Sequence, residues 1–333
     1  MKPLRISLTH NLEGPEDQPS ESISREYVDR VLKAISSLGY HVTPVEVTGA
    51  PEEIVDRILE SEPELIFNLA EGTESQGREA YYPAIFEILD IPYTGGGPAI
   101  MYANLDKRLT LKLLNVNEIK VPKGRLIRPE DDRLPEDIEY PAFIKPNYEG
   151  SSMGIGEKSV VHSREEAAER IEEMIDNFPD GVDIEEFIEG RELTVPMLEA
   201  FPDRLLEIVE YRRKEDNYNI MDYEIKKTDK REEALETICP PELDAGVRES
   251  VLEMASRTFR IMRTPDLGRV DIRLSEEGTP YLIEVTALPG LRPISPMMTA
   301  AKQRGLSYDE VVGLIIRSAI KRYFGPTDKV NIR

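Results

Sequence analysis

Two carboxylates in the last third of the chain are spaced so that a β-hairpin would set them side by side. Asp271 and Glu284 lie in two alternating runs, 268–274 and 281–286, joined by the turn-forming sequence Ser-Glu-Glu-Gly-Thr-Pro. A turn centred on its Glu-Gly step places the two side chains directly opposite each other, with Cβ atoms about 5 Å apart. Like charges at that distance repel unless a cation lies between them, and Mg²⁺ on a nucleotide is the commonest such cation.

The same register pairs Arg269 with Thr286, on the face that carries both carboxylates. An exposed acidic ladder is the alternative interpretation of Asp271 and Glu284. The arginine beside the pair and the Leu-Pro-Gly loop at 288–290 favour a metal site instead. We therefore expect this hairpin to hold a divalent cation.

A second candidate is a strand that ends in a lysine and runs into a Gly/Ser loop. The run 141–146 carries Lys145, and Asn-Tyr-Glu-Gly-Ser-Ser-Met-Gly-Ile-Gly follows at 147–156. The ammonium group and the exposed backbone N–H groups of such a loop can cradle phosphate oxygens. An ordinary turn is an equally good interpretation, because the lysine precedes the glycines and the segment is not a Walker loop.

A third candidate is the acidic segment 183–192. Strand alternation puts Glu185 and Phe187 on one face, and Glu192 follows Gly190. A carboxylate can accept a hydrogen bond from a ribose hydroxyl, and the backbone of a strand edge can pair with adenine. The alternative is an edge strand whose charged side chains prevent it from pairing with another chain.

The N-terminal third, which precedes these segments, alternates strands with amphipathic helices. Strands are predicted at 5–8, 40–47 and 65–69, and helices at 51–60 and along the apolar face of Tyr27, Val31, Ile35 and Leu38. This order predicts a parallel α/β unit, which binds ligands at the carboxyl ends of its strands. The breaker sequence at 91–97 indicates a domain boundary near residue 100.

Beyond residue 100 strands predominate and crossover helices are few, which is typical of an α+β body. Strands are predicted at 124–127, 142–145, 158–161, 183–188, 192–198 and 205–211. Helices are predicted at 106–114, 164–178, 243–261 and 308–323, and the Met297-Met298 pair is expected to pack in the core of the last one.

Composition excludes several classes of protein. The 333 residues carry 64 Asp and Glu against 42 Lys and Arg, a formal net charge of −22, which argues against a nucleic-acid partner. Cys239 is the only cysteine, so an intramolecular disulfide and a cysteine-based zinc site are excluded. No run approaches the ~20 apolar residues of a membrane span, and the first residues lack an apolar signal segment. We expect a cytoplasmic protein.

Taken in order, the motifs resemble those of the ATP-grasp superfamily, most closely the D-alanine–D-alanine ligases. The matching sequences are Lys-Pro-x-x-Glu-Gly-Ser-Ser-x-Gly at 145–154, Glu-x-Phe-Ile-x-Gly-x-Glu at 185–192, Asp-Tyr-Glu-x-Lys at 222–226, Gly-Arg-x-Asp at 268–271 and Glu-Val-x-x-x-Pro-Gly at 284–290. The resemblance implies an ATP-grasp fold with an N-terminal parallel α/β (pre-ATP-grasp) domain. It implies domains at 1–100, 101–182 and 183–333, ATP between the last two, Mg²⁺, and a homodimer.

The resemblance also implies a role for individual residues. For the nucleotide, Lys107 and Lys145 would contact phosphate or adenosine, Glu185, Phe187 and Ile188 would form the adenine hinge, and Glu192 would bind ribose. For the chemistry, Ser151 would lie in a loop over the phosphates, Lys226 would face the γ-phosphate, Arg269 would stabilise the charged intermediates, and Gly290 would offer its N–H. Asp271, Glu284 and Thr286 would form the metal site, and Ser295 would receive the second substrate's carboxylate. Arg292, a departure from the family pattern, adds a charge beside this acceptor site.

The chain departs from the family pattern mainly on the substrate side. Thr286 stands where the family has asparagine, and Lys227 where it usually has tyrosine. The loop after the third strand reads Ala-Glu-Gly at 70–72, without the family's histidine. Three acidic residues of the first loop are equal candidates for binding the first substrate's ammonium group: Glu13, Glu16 and Glu21.

These observations predict an ATP-dependent carboxylate–amine ligase that joins two amino acids through an acyl phosphate. A related ligase for a different amino acid or a peptide is a close alternative, because the substrate loops are altered. A nucleotide-binding protein without turnover is a second alternative, suggested by Thr286. A kinase that phosphorylates a hydroxyl is a third, which the ligase-like Ser295 disfavours.

Overall fold

The computed structural model describes five stretches of the chain: 3–12, 23–72, 75–131, 134–214 and 234–325. Several predicted residues lie outside the described residues: Lys226, Lys227, Glu13, Glu16 and Glu21.

The N-terminal third is a parallel three-stranded sheet with helices packed against it. Strands β1 (Arg5–His10), β2 (His41–Glu46) and β3 (Leu65–Asn68) are ordered β2-β1-β3, joined by α1 (Arg25–Ser37) and α2 (Pro51–Glu60). Ser24 caps α1 by accepting a hydrogen bond from the N–H of Tyr27. The buried face of α1 contains the predicted Tyr27, Val31 and Ile35, so the helical periodicity is confirmed.

Three helices, α3 (Arg78–Ile88), α4 (Pro98–Leu105) and α5 (Lys107–Val116), lead from this sheet to the next. The single helix predicted at 106–114 corresponds to α5, and α4 is an additional helix that the sequence pattern does not predict. Asp106 ends α4 and caps α5, where its side chain accepts from the N–H of Leu109 at 3.0 Å. The cap fixes the direction of Lys107 and Arg108 at the start of α5.

The second sheet is antiparallel and has the order β4-β7-β5-β6. Its strands are β4 (Gly124–Ile127), β5 (Ala142–Pro146), β6 (Val160–Val161) and β7 (Val182–Glu186). Helix α6 (Arg164–Asn177) packs on it with Ile171 and Met174 in the shared core, and Ser163 caps the helix as predicted. The domain boundary predicted at 182 falls at the first residue of β7, a strand of this sheet.

The third sheet has the order β10-β9-β8-β11-β12. Its strands are β8 (Gly190–Leu198), β9 (Val209–Arg213), β10 (Leu235–Ile238), β11 (Leu267–Ser275) and β12 (Pro280–Thr286), and helix α7 (Ala245–Met262) covers its apolar face. Helices α8 (Pro296–Gln303) and α9 (Tyr308–Phe324) follow, and α9 packs into the core of the N-terminal sheet.

Three details of this last part differ from the sequence prediction. Strand β10 is not predicted, and the strand expected at 205–211 begins later, at Val209. Met297 and Met298 are buried as expected, but they belong to α8 rather than to the final helix. Within the described residues, no helix has the length and apolar character that crossing a membrane requires.

Candidate active site

The hairpin β11–β12 brings the two predicted carboxylates opposite each other. Asp271 pairs with Glu284 and Arg269 with Thr286, so the predicted register is confirmed there. Nearer the turn the register shifts by one residue at a bulge, and the turn is therefore not centred where the sequence placed it. The bulge keeps Glu284 out of the core, because Leu282 faces the core and strict alternation would place Glu284 on the same face.

Asp271 is held by two donors on the same face of the sheet. The hydroxyl of Thr194 donates to its Oδ1 at 2.6 Å, and Nε of Arg269 donates to its Oδ2 at 3.1 Å. Burial lowers the pKa of Arg269, but Asp271 and Glu284 overcome this effect and the net shift is upward. The guanidinium is therefore a fixed positive charge beside Asp271.

Lys107 links the hairpin to the Gly/Ser loop. Its Nζ lies 3.4 Å from Oε1 of Glu284 and donates to the backbone carbonyl of Glu149. Lys107 is buried, and its position is set by the Asp106 cap of α5. One ammonium group thus joins two segments that the sequence singled out for separate reasons.

The Gly/Ser loop is anchored at its start and turns tightly after that. The amide of Asn147 and the hydroxyl of Tyr148 both donate to the carboxylate of Asp106, at 2.8 and 3.0 Å. Ser151 and Ser152 have φ of 52° and 61°, the left-handed region, inside the turn that follows Gly150. The loop therefore leaves a fixed base and presents Ser151 at its bend.

Lys145 points into a buried cluster of charges that includes a residue the sequence reasoning missed. Its Nζ lies 2.7 Å from Oε1 of Glu185. Arg108 donates to Asp183 at 2.6 and 2.7 Å and to Oε2 of Glu185 at 2.7 Å. Burial raises the pKa of Glu185, against the opposing effect of Lys145 and Arg108. A Cβ at Gly124 would lie 2.5 Å from Nη2 of Arg108, so only glycine leaves room for this cluster.

The predicted adenine hinge connects the second sheet to the third. Phe187 and Ile188 lie between β7 and β8, and the N–H of Phe187 donates to the carbonyl of Pro141 at 3.1 Å. Gly190 has φ of 139°, and a Cβ there would meet the carbonyl oxygen of Leu274 at 2.1 Å. The glycine is therefore required by close backbone approach. Glu192 follows in β8, on the face that carries Asp271.

A small cavity lies between the carboxyl end of β3 and the loop that contains Gly290. Its walls are mostly apolar, and Glu71 is the acidic residue that lines it. The backbone N–H of Leu291 donates to the hydroxyl oxygen of Tyr27 at 2.8 Å, which ties the Gly290 loop to α1. Glu71 is the second residue that sequence reasoning did not assign, although its place in the loop that follows a parallel strand was the available signal.

Ser295 and Arg292 lie in one turn after this loop. The N–H of Ser295 donates to the carbonyl of Arg292 at 2.8 Å, and its hydroxyl caps α8 by accepting from the N–H of Met298 at 3.3 Å. Ser295 is buried and Arg292 is exposed. The structure thus joins the hairpin to the Gly/Ser loop through Lys107, and it places Ser295 and Arg292 together in the turn before α8.

Comparison with known proteins identifies the family of the chain. Residues 121–317 match the family model described as D-ala D-ala ligase C-terminus. A D-alanine–D-alanine ligase B from Clostridium perfringens is 34% identical over 268 residues, 80% of this chain and 84% of that protein. A D-alanine–D-alanine ligase from Aquifex aeolicus is 30% identical over 287 residues, 86% of this chain and 92% of that protein.

Solved structures resemble the chain over almost its whole length. The D-alanine–D-alanine ligase from Bacillus anthracis complexed with ATP has a TM-score of 0.76 at 19% identity, covering 96% of this chain and 98% of that one. The VanG D-Ala:D-Ser ligase from Enterococcus faecalis has a TM-score of 0.73 at 20% identity, covering 95% and 99%. The fold is an ATP-grasp fold with a parallel α/β sheet at the N-terminus. The chain belongs to the D-alanine–D-alanine ligase family, whose members form a peptide bond between two amino acids.

Proposed function

We propose that this protein is an ATP-dependent ligase that joins two amino acids through an acyl phosphate. The proposal rests mainly on the two contacts of Lys107. Its ammonium group contacts Glu284, which is a predicted metal ligand, and the backbone of the Gly/Ser loop at Glu149. The proposed phosphate-binding loop and the proposed metal-binding carboxylate then lie next to each other, as phosphoryl transfer to a carboxylate requires.

In this proposal ATP lies between the second and third sheets. The hinge at Phe187 and Ile188 holds adenine, and Glu192 binds the ribose. Lys107 and Lys145 contact the phosphates or adenosine, and Ser151 lies in the loop above them. Lys226, outside the described residues, keeps the γ-phosphate role that the resemblance gives it.

Magnesium is part of the proposal, and the residues fit it. Asp271 and Glu284 supply two carboxylates on one face, and Thr286 can add a hydroxyl oxygen or steer a water. Mg²⁺ commonly uses one or two carboxylates together with substrate phosphates and water, so a full protein cage is not needed. When bound, it would neutralise charge on the transferring phosphate.

The proposed reaction has two steps, and residues of the chain would stabilise the charge that forms in them. A carboxylate of the first amino acid attacks the γ-phosphorus and ADP leaves, which forms the acyl phosphate. The amine of the second amino acid then attacks the acyl carbon, and phosphate leaves as the C–N bond forms. Arg269 and the N–H of Gly290 would stabilise the negative charge of these states, and Ser295, with Arg292 nearby, would hold the second carboxylate.

The cavity suggests how the first substrate is selected. Its walls are apolar except for a few groups, and Glu71 can accept the ammonium group of an amino acid there. Glu71 stands in a loop where the family usually has histidine, which supports an amino-acid pair other than two D-alanines, or a peptide. The three acidic residues of the first loop remain candidates beside it.

Domain division and assembly belong to the same proposal. The three sheets support an N-terminal domain at 1–100 and two later domains, for which the sequence predicts 101–182 and 183–333. Because β7 pairs within the second sheet, we place the later boundary at the hinge, 187–189. The resemblance implies a homodimer, which light scattering of the purified protein would test.

The deciding experiment measures ADP release with a panel of D- and L-amino acids and identifies the products by mass spectrometry. Lys145→Ala and Glu284→Gln should each reduce turnover by orders of magnitude, because each removes a charge from the phosphate site. Arg125→Ala is the control, since Arg125 forms an exposed ion pair with Asp137. An amide product supports ligation, and near-native ADP release by both site variants would refute this site.

One other function has an observation in its favour. Thr286 lacks the amide oxygen of the family's asparagine, which would suit a protein that binds nucleotide without turnover. In that case ATP would bind and no amino acid would stimulate ADP release. A phosphorylated hydroxyl product in the same assay would instead identify a kinase.

A further inference from the structure

Arg273 is a buried cation on the site face of β11 that none of the roles above uses. Arg269, Asp271 and Arg273 occupy every second position of the strand and so share one face. The relative exposure of Arg273 is 6%. Burying a guanidinium is costly unless its donors are satisfied, so its contacts indicate what it does.

Three contacts of this guanidinium go to the segment that the nucleotide proposal uses. Its Nε donates to the carbonyl oxygen of Ile188 at 3.0 Å, and its Nη1 lies 3.7 Å from Oε2 of Glu192. Its central carbon lies 5.5 Å from the ring centroid of Phe187. One side chain thus touches the hinge backbone, the hinge aromatic ring and the predicted ribose carboxylate.

The hinge belongs to neither sheet, so its position depends on contacts from its neighbours. Residues 187–189 connect β7 of the second sheet to β8 of the third, outside both strand ladders. Arg273 comes from β11, directly opposite Glu192 in β8. Arg273 therefore fixes the hinge relative to the third sheet, which also carries the predicted metal ligands Asp271 and Glu284.

We propose that Arg273 is a positioning residue of the nucleotide site. It holds the Ile188 carbonyl and the Glu192 carboxylate in place before ATP binds, so that the adenine and ribose contacts form without reordering the hinge. The inference rests on the proposed nucleotide site and deepens it. A planar guanidinium can donate to the carbonyl and stack on Phe187 at once, whereas a lysine ammonium cannot do both.

The test compares Arg273→Met and Arg273→Lys by calorimetric titration with ATP, without any amino acid present. Arg273→Met should weaken ATP binding about tenfold, as expected when a hydrogen-bonded charge that orders the site is lost. The KM for ATP should rise similarly, while the KM for each amino acid stays within about twofold. Arg273→Lys should fall between wild type and Arg273→Met.

Deoxynucleotides report on the ribose contact. Wild type should bind ATP more tightly than 2′-deoxy-ATP or 3′-deoxy-ATP, and Arg273→Met should lose much of that preference, because Glu192 is no longer held. Arg304→Met is the matched control: Arg304 also lies over a phenylalanine ring, Phe201 at 5.2 Å, and pairs with a carboxylate, Glu207 at 3.1 Å. That variant should bind ATP and the deoxynucleotides like wild type.

Each outcome decides the inference. Unchanged ATP affinity in a folded Arg273→Met protein would overturn it, and so would an equal loss in Arg304→Met. If Arg273→Met does not fold, Arg273→Lys with wild-type affinity and ribose preference would overturn it instead. A wild type that binds ATP but joins no amino acids would refute ligation alone, because the binding measurement uses no amino acid.

Discussion

Replacing Arg108 by methionine tests whether the buried charge cluster beneath the hinge is balanced as its geometry indicates. Arg108, Lys145, Asp183 and Glu185 form a set of two cations and two carboxylates, all buried. Methionine keeps much of the length of the side chain and removes the charge. Two carboxylates would then face one ammonium group inside the protein.

The expected loss of stability follows from the burial of the partners. Removing one member of a buried ion pair leaves an uncompensated charge and typically destabilises a protein by about 3–5 kcal/mol. Asp183 is 0% exposed and Glu185 is 4% exposed, so water cannot replace the guanidinium. We therefore expect Arg108→Met to lose roughly that amount, with weaker ATP binding because Glu185 is displaced.

The stability of the variant should also depend on pH, in a direction that follows from the pKa of Glu185. Burial raises the pKa of Glu185 in the wild type, so the folded state binds this proton more readily than the unfolded state does. The contribution of Glu185 to stability is therefore most favourable at low pH and is lost as pH rises through its folded pKa. Without Arg108 that pKa rises further, and the stability difference from wild type should be smaller near pH 5 than near pH 8.

Urea unfolding followed by circular dichroism at both pH values measures these differences. Arg125→Met is the control, since it breaks an exposed pair with Asp137 and should change stability little at either pH. The double variant Arg108→Met with Asp183→Leu should recover part of the loss, because the remaining charges balance again. If Arg108→Met behaves like Arg125→Met, or is more damaging at the lower pH, the reasoning is wrong.

Three further predictions concern single residues. Thr286→Asn should lower the Mg²⁺ concentration for half-maximal ADP release by supplying an amide oxygen, and an inactive variant would contradict this. Ser295→Ala should raise the KM for the second amino acid but not the KM for ATP. It should also cost about 1 kcal/mol of stability, because α8 loses its cap. Equal increases in both KM values would show that Ser295 does not contact the second amino acid. Burial and then Glu207 raise the pKa of Cys239 to about 11, so iodoacetamide should react slowly near pH 7 and faster as pH approaches that value.

The elements with strong local signals were predictable from the sequence. Helix α2 has the predicted bounds 51–60, because Pro51 and an apolar stripe define it. Helix α8 was missed although Ser295 followed by a proline is a helix-start signal, and its eight residues were too few to show a clear period. Strand β10 was missed because its sequence, Leu-Glu-Thr-Ile, does not alternate apolar and polar residues.

The hairpin shows both the reach and the limit of sequence reasoning. Alternation and turn chemistry correctly paired Asp271 with Glu284, although the turn centre used for the prediction was wrong. A bulge compensated for that error, and its only signal in the sequence is the adjacent apolar pair Leu282-Ile283. Arg108 and Arg273 could not be assigned in this way, because their partners lie 75 to 85 positions away in sequence.

The proposed nucleotide side and the proposed substrate side of this protein are built from different kinds of contact, which fits the closer match of the nucleotide side to the family motifs. On the nucleotide side, Lys145 and Arg108 are locked in buried charge pairs, so a change at one position leaves a charge uncompensated in the interior. On the proposed substrate side, Glu71 lines a mostly apolar cavity and Arg292 is exposed in the turn after Leu291, where a side chain can change without such a penalty. A new amino-acid preference can therefore arise in these loops while the machinery that uses ATP stays fixed.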